Sequence, residues 1–135
     1  MLISLIKFIH ILLVLGLIGG IGYCFMTTSS RQSSLTFTQF SFLHRLLLWL
    51  SLLLGITGTL LVYPRHFTFH TPWIKAAYVL LFAVTLGILF LKRRISHLPP
   101  TPTLALARQG SYFFIILLLF LIVHDAVTKT TFLFY

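Results

Sequence analysis

The stretch Tyr112–Lys129, YFFIILLLFLIVHDAVTK, decides the fold class of this chain. Its first twelve residues contain no polar side chain beyond one tyrosine hydroxyl. It then ends in a histidine, an aspartate and, one helical turn later, a lysine. Asp125 is the single acidic residue among 135, against ten lysines and arginines and a net charge of +9. A helix needs roughly 20 apolar residues to cross a bilayer. The apolar run, extended from Ser111 to Phe134, is long enough.

Three more segments have the same character: Leu2–Met26, Phe42–Tyr63 and Trp73–Leu91. The composition agrees, with 59% hydrophobic residues and 8% charged ones and a mean hydropathy of +1.05. A soluble domain cannot cover its surface with so little charge, so the composition reads as an integral membrane protein. The expected architecture is all-α: one antiparallel bundle of four transmembrane helices with short loops, occupying residues 1–135 as a single domain. The lipid bilayer is its first partner.

The excess of positive charge does not indicate nucleic acid. The basic residues stand at the ends of apolar runs, the pattern of membrane topology and not of a phosphate-binding stripe. The N-terminal segment resembles a secretion signal only superficially. Its apolar stretch is too long for one, and Lys7 and His10 interrupt it, so it reads as a retained first helix. The one cysteine excludes an internal disulfide.

The linkers follow from polar and proline content. TTSSRQSSLTFTQ (27–39) has the composition of a surface loop. PRHFTFHTP (64–72), bounded by Pro64 and Pro72, sets helices two and three into a tight hairpin. KRRISHLPPTPTLALARQ (92–109), with Pro99, Pro100 and Pro102, is expected to be a third loop and not a continuous helix. Loops one and three hold Arg31, Arg45, Lys92, Arg93, Arg94 and Arg108, whereas the other side holds Lys7, Arg65, Lys75 and Lys129. The positive-inside bias places the first set in the cytoplasm and both termini outside. The spacings Gly16-x-x-x-Gly20 and Gly55-x-x-x-Thr59 are those of close helix–helix contacts.

Ionisable residues inside a span cost a few kcal/mol each and generally face the bundle interior or a cavity. Helix one carries Lys7 and His10, three apart and on one face; helix four carries His124, Asp125 and Lys129. At 1.5 Å per residue, His10 lies roughly 10–12 Å from one end of its span and His124 roughly 15 Å from the corresponding end of its own. The two histidines are therefore expected at similar depth. Asp125 is expected to pair with Lys129 or Lys7. Three functions suit these residues: hydrogen-bonding glue between helices, proton handling by His124 and Asp125, and axial ligation of a haem by His10 and His124. In the last case Lys7, Lys75, Lys129 or Arg65 would meet the propionates near the outer surface. His124 is expected to face the interior with the carboxylate turned aside. HFTFH (66–70) has histidines at a metal-ligand spacing only if helical, and it reads as an extended loop. No paired carboxylates, nucleophile triad or phosphate loop is present, so an enzyme built on this chain takes its chemistry from a cofactor.

At IKFIHILLVLGLIGG (6–20) the first helix resembles a group of small bacterial membrane proteins that open with a Lys-x-x-His helix and a glycine-containing apolar run. The group includes the HemJ-type protoporphyrinogen oxidases and the CopD-like copper-resistance membrane domains. GITGTLLVYPRHFTFHTPWIKAAYVLLFAV (55–84) adds to the likeness, as does a lysine late in the last helix, Lys129. The chain differs in having PPTPTLALARQGS (99–111) where HemJ-type proteins carry an Asn-Glu-Pro segment, and GYCFMTTSSRQ (22–32) at the end of helix one. The resemblance implies a b-type haem, His10 as a ligand, Lys7 and Lys129 as functional polar positions, and location in a bacterial inner (plasma) membrane. It points to a redox-related role, with porphyrinogen oxidation as one version. The alternative class is a non-enzymatic subunit or transporter-like bundle, acting in copper handling, within a larger respiratory complex or as a homo-oligomer.

Overall fold

In a computed structural model, the chain is described over residues 1–29, 37–62, 71–95 and 102–128. Four helices account for all of these residues but Met1 and Thr71: α1 (Leu2–Ser29), α2 (Phe37–Val62), α3 (Pro72–Ile95) and α4 (Pro102–Thr128). Each contains a stretch long and apolar enough to cross a membrane. At 1.5 Å per residue their 24 to 28 residues correspond to about 36–42 Å, more than the roughly 30 Å hydrocarbon core.

The helix ends are set by local chemistry. Pro72 occupies the first turn of α3, where its missing N–H has no partner to lose. The carbonyl of Thr71 accepts the Ile74 and Lys75 amides at 3.1 and 3.2 Å. At the end of α1, Thr27 and Thr28 turn their hydroxyls back onto the Tyr23 and Cys24 carbonyls at 2.9 and 2.7 Å. These bonds let polar residues remain helical, so α1 runs past Met26. The largest departure from the sequence reading is in the third linker. Residues 102–110 are helical and lengthen α4 by more than two turns beyond the expected start at Ser111. Pro102 does not break this helix; it opens it.

The four helices close into a ring. α1 packs on α2 and α4, and α3 packs on the same two, so α1 lies diagonally across from α3 and α2 from α4. The interior is filled by residues such as Leu17, Ile21, Leu47, Val84, Ile88 and Ile115, each almost wholly buried. At Gly20 the Leu47 side chain of α2 lies directly against α1. A Cβ there would stand 2.7 Å from Leu47 Cδ2, so the side chain of α2 occupies the space that any larger residue would need. The outer faces are as apolar as the core, with Phe8, Leu15, Phe82, Phe113 and Phe120 all exposed. So large an apolar surface is stable only against lipid.

Candidate functional site: a histidine-lined cavity

A cavity of about 630 Å³ opens between the four helices at the end where α1 begins and α4 finishes. Its walls are aliphatic. The polar groups at its lining are Lys7 and His10 from α1, Trp73 and Tyr78 from α3. The volume falls within the range of small-molecule and cofactor sites, roughly 300–1,000 Å³. The apolar walls with few polar groups are also typical of such sites.

His10 is held by its neighbours. Its Nδ1 lies 2.8 Å from Thr57 Oγ1 on α2. Thr57 Oγ1 also lies 2.9 Å from the Leu53 carbonyl; with the hydroxyl hydrogen directed there, Oγ1 accepts from His10 Nδ1–H, the tautomer that leaves the lone pair on Nε2. Gly58 makes room for the ring: a Cβ at that position would stand 3.5 Å from His10 Cε1. A second bond lies beside it: the Tyr78 and Thr59 hydroxyls are 2.6 Å apart, and Thr59 Oγ1 also reaches the Gly55 carbonyl at 2.9 Å. Gly55 and Thr59, one small-residue spacing in the sequence, thus form part of the α2–α3 seam beside the cavity.

The structure does not bring His124 to His10. On α4 the cavity is lined by Ile122, Val123, Ala126 and Val127. His124 has a side chain 38% exposed, and its Nδ1 is 3.5 Å from Asp125 Oδ1. Asp125, by contrast, is 2% exposed. The expected arrangement is reversed: the carboxylate points inward and the imidazole stands at the edge. The reason lies in the buried stripe of α4, which runs through Ile115, Leu118, Ile122 and Asp125 at spacings of three and four; His124 lies about 100° round the helix from it. Among the described residues the Asp125 carboxylate has its neighbour His124 within 4 Å, and not Lys7, one of its two expected partners. Lys129 and the 66–70 histidines lie outside the described residues, as do Arg65 and His97.

A second polar group lies at the opposite end of the bundle. His44 Nδ1 is 2.9 Å from the Phe40 carbonyl, which can only accept, so Nδ1 carries the proton here too. Nε2 then accepts the Tyr112 O–H across 2.8 Å. This bond joins α2 to α4 along the diagonal of the ring, between residues 0% and 1% exposed. The Cys24 thiol of α1 lies beside the Tyr112 hydroxyl. Between the two polar groups, Thr85 on α3 reaches Ser51 on α2 at 3.2 Å. The sequence reading passed over Tyr112, Thr57 and Tyr78. Thr57 was signalled by a polar residue in mid-span at GITGT; Tyr112 had no signal beyond its hydroxyl.

Among the described residues no three His, Cys, Asp or Glu side chains come together in a way that would hold a metal ion by themselves. Compared with known proteins, the chain matches no family model, no curated protein and no solved structure. What the fold and composition define is the class: an integral membrane four-helix bundle. Within that class, this chain carries an apolar cavity with His10 on its wall at one end and a buried His44–Tyr112 hydrogen bond toward the other.

Proposed function

We propose that the bundle binds a b-type haem in the His10 cavity and serves a redox-related role in a bacterial plasma membrane, with the α1–α2 and α3–α4 connections facing the cytoplasm. The observation that carries this reading is the Thr57 hydrogen bond to His10 Nδ1. A histidine that ligates a metal commonly donates its other ring N–H to a fixed acceptor, which sets the tautomer and ring orientation. Among the cavity residues His10 is the one that would supply an imidazole nitrogen to the iron. Lys7, one turn nearer the end of the helix and also on the cavity lining, suits an anionic propionate. Leu54, Leu81 and Ile18 line the apolar remainder and would exclude water. His124 has no part in this ligand set, because it is absent from the cavity lining. When bound, the haem supplies reversible one-electron exchange, and its potential depends on axial ligand and burial.

Titration of the purified full chain in detergent with haem, followed in the visible spectrum, tests the proposal. The unmodified protein should develop a saturable Soret band and reduced-minus-oxidised features of haem b. His10→Ala should lose them, while His44→Ala and His124→Ala retain them. Uptake undiminished in His10→Ala refutes the ligand assignment. No uptake by the unmodified chain refutes the cofactor and favours a non-enzymatic membrane subunit.

A further inference from the structure

The His10 cavity is not closed on every side, and the burial of its walls shows where it opens. Every wall residue contributed by α2 and α3 is buried or half-buried, with Leu54, Val62 and Ile74 almost wholly so. The exposed wall residues all belong to the other two helices. They are Ile11 and Leu15 on α1, at 57% and 61%, and Ala126 and Val127 on α4, the last at 75%. Side chains that line a cavity and also reach the outside stand at its rim. α1 and α4 are neighbours in the ring, so these four residues form the two lips of one opening at the α1–α4 seam.

The chemistry of the rim fixes what lies outside it. All four side chains are aliphatic. Leu15 is at the middle of α1, about 20 Å from its first residue, and so well inside a hydrocarbon core roughly 30 Å thick. A passage to water at that depth would carry polar or ionisable side chains along it; this one faces acyl chains. Ala126, the smallest side chain of the four, keeps the α4 lip low. The polar groups of the lining, Lys7, His10, Trp73 and Tyr78, are all half-buried, so the surface a ligand meets first is apolar.

We infer that the His10 cavity is loaded sideways from the bilayer, through a mouth between α1 and α4 bounded by Ile11, Leu15, Ala126 and Val127. Its occupant is therefore a molecule dissolved in the membrane, with a broad apolar face and a polar group for Lys7 or His10. The identity of that occupant as haem rests on the reading proposed above; the mouth rests on the walls alone.

Two measurements on the full chain in phosphatidylcholine vesicles test the mouth, one with haem and one without it. Ala126→Phe places a ring in the opening. Haem predissolved in the bilayer should then enter about tenfold more slowly, a barrier higher by about 1.4 kcal/mol. Its release to empty vesicles should slow as well, whereas a lost contact inside the cavity would speed release. Leu12→Phe, at an exposed position of α1 off the cavity lining, should change neither rate. In the second measurement, Trp49→Phe leaves Trp73, on the lining, as the one tryptophan. A bromoalkane dissolved in the bilayer should quench its fluorescence, and Ala126→Phe in the same chain should reduce that quenching while Leu12→Phe should not. Should Ala126→Phe fail to fold, Ala126→Leu narrows the same opening. If the unmodified chain takes up no haem but Ala126→Phe still shields Trp73, the haem reading fails and the mouth stands. Quenching of Trp73 that Ala126→Phe leaves unchanged overturns the inference, and so does haem exchange equally fast with and without the added ring.

Discussion

The diagonal bond between His44 and Tyr112 invites a quantitative test. Tyr112→Phe removes one oxygen and little volume, but it leaves His44 Nε2 without a donor. Both residues are sealed from solvent, at 0% and 1% exposure, so water cannot replace the lost hydroxyl. Leaving a buried acceptor unsatisfied costs about 1–3 kcal/mol. Interhelical hydrogen bonds in membrane bundles average only about 0.6 kcal/mol and reach about 1.7, because the unfolded chain in lipid also finds partners. A 2.8 Å bond across the ring, with the histidine already oriented by the Phe40 carbonyl, belongs near the upper end. Tyr112→Phe should therefore cost about 1–2 kcal/mol. His44→Leu should cost at least as much, since it takes away the acceptor of the Tyr112 O–H at a position sealed from water. The double variant should be less destabilised than the sum by about 1 kcal/mol. Unfolding of the full chain in mixed micelles, followed by circular dichroism and near-ultraviolet absorbance, measures all three. Energies that add within about 0.5 kcal/mol would show that the two residues do not couple, and that the diagonal bond plays no part in holding α2 and α4.

Three further outcomes follow from the geometry. Thr57→Val keeps the shape beside His10 but removes its acceptor; haem affinity in the spectral titration should fall about 10- to 100-fold, with fold and helix content unchanged. Asp125→Asn removes the buried charge at the end of α4. Because its partner His124 is partly exposed, the cost should be modest, about 1 kcal/mol in the same micelle assay, and His124→Gln in the same chain should recover part of it. A reporter that is active only in the cytoplasm should be silent when fused after Tyr135, because the basic residues near the first and third connections outnumber those at the opposite end. Strong reporter activity would invert the orientation.

What the sequence determined by itself is the number and rough extent of the helices. Long apolar runs, linkers marked by serine or proline, and almost no charge leave few alternatives to membrane-crossing helices, since backbone polar groups in lipid must be satisfied within each segment. The boundaries moved where local hydrogen bonds or a helix-opening proline extended a segment, as at Thr28 and Pro102. The sequence also singled out Lys7 and His10 as unusual, because a basic pair on one face of an apolar helix is costly unless it has a use.

Only the tertiary structure decided which residues face inward. In a water-soluble helix the polar side marks the outside, but in this bundle the lipid-facing and core-facing sides are both apolar, so periodicity does not separate them. That is why His124 and Asp125, adjacent in sequence, could be assigned to the wrong faces, and why Tyr112, buried by the diagonal approach of α2 and α4, gave so little warning. The partners of His10 and His44 are 47 and 68 residues away in the chain. Those pairings depend on which helices lie side by side and which lie across the ring, a property of the packing that no single segment carries.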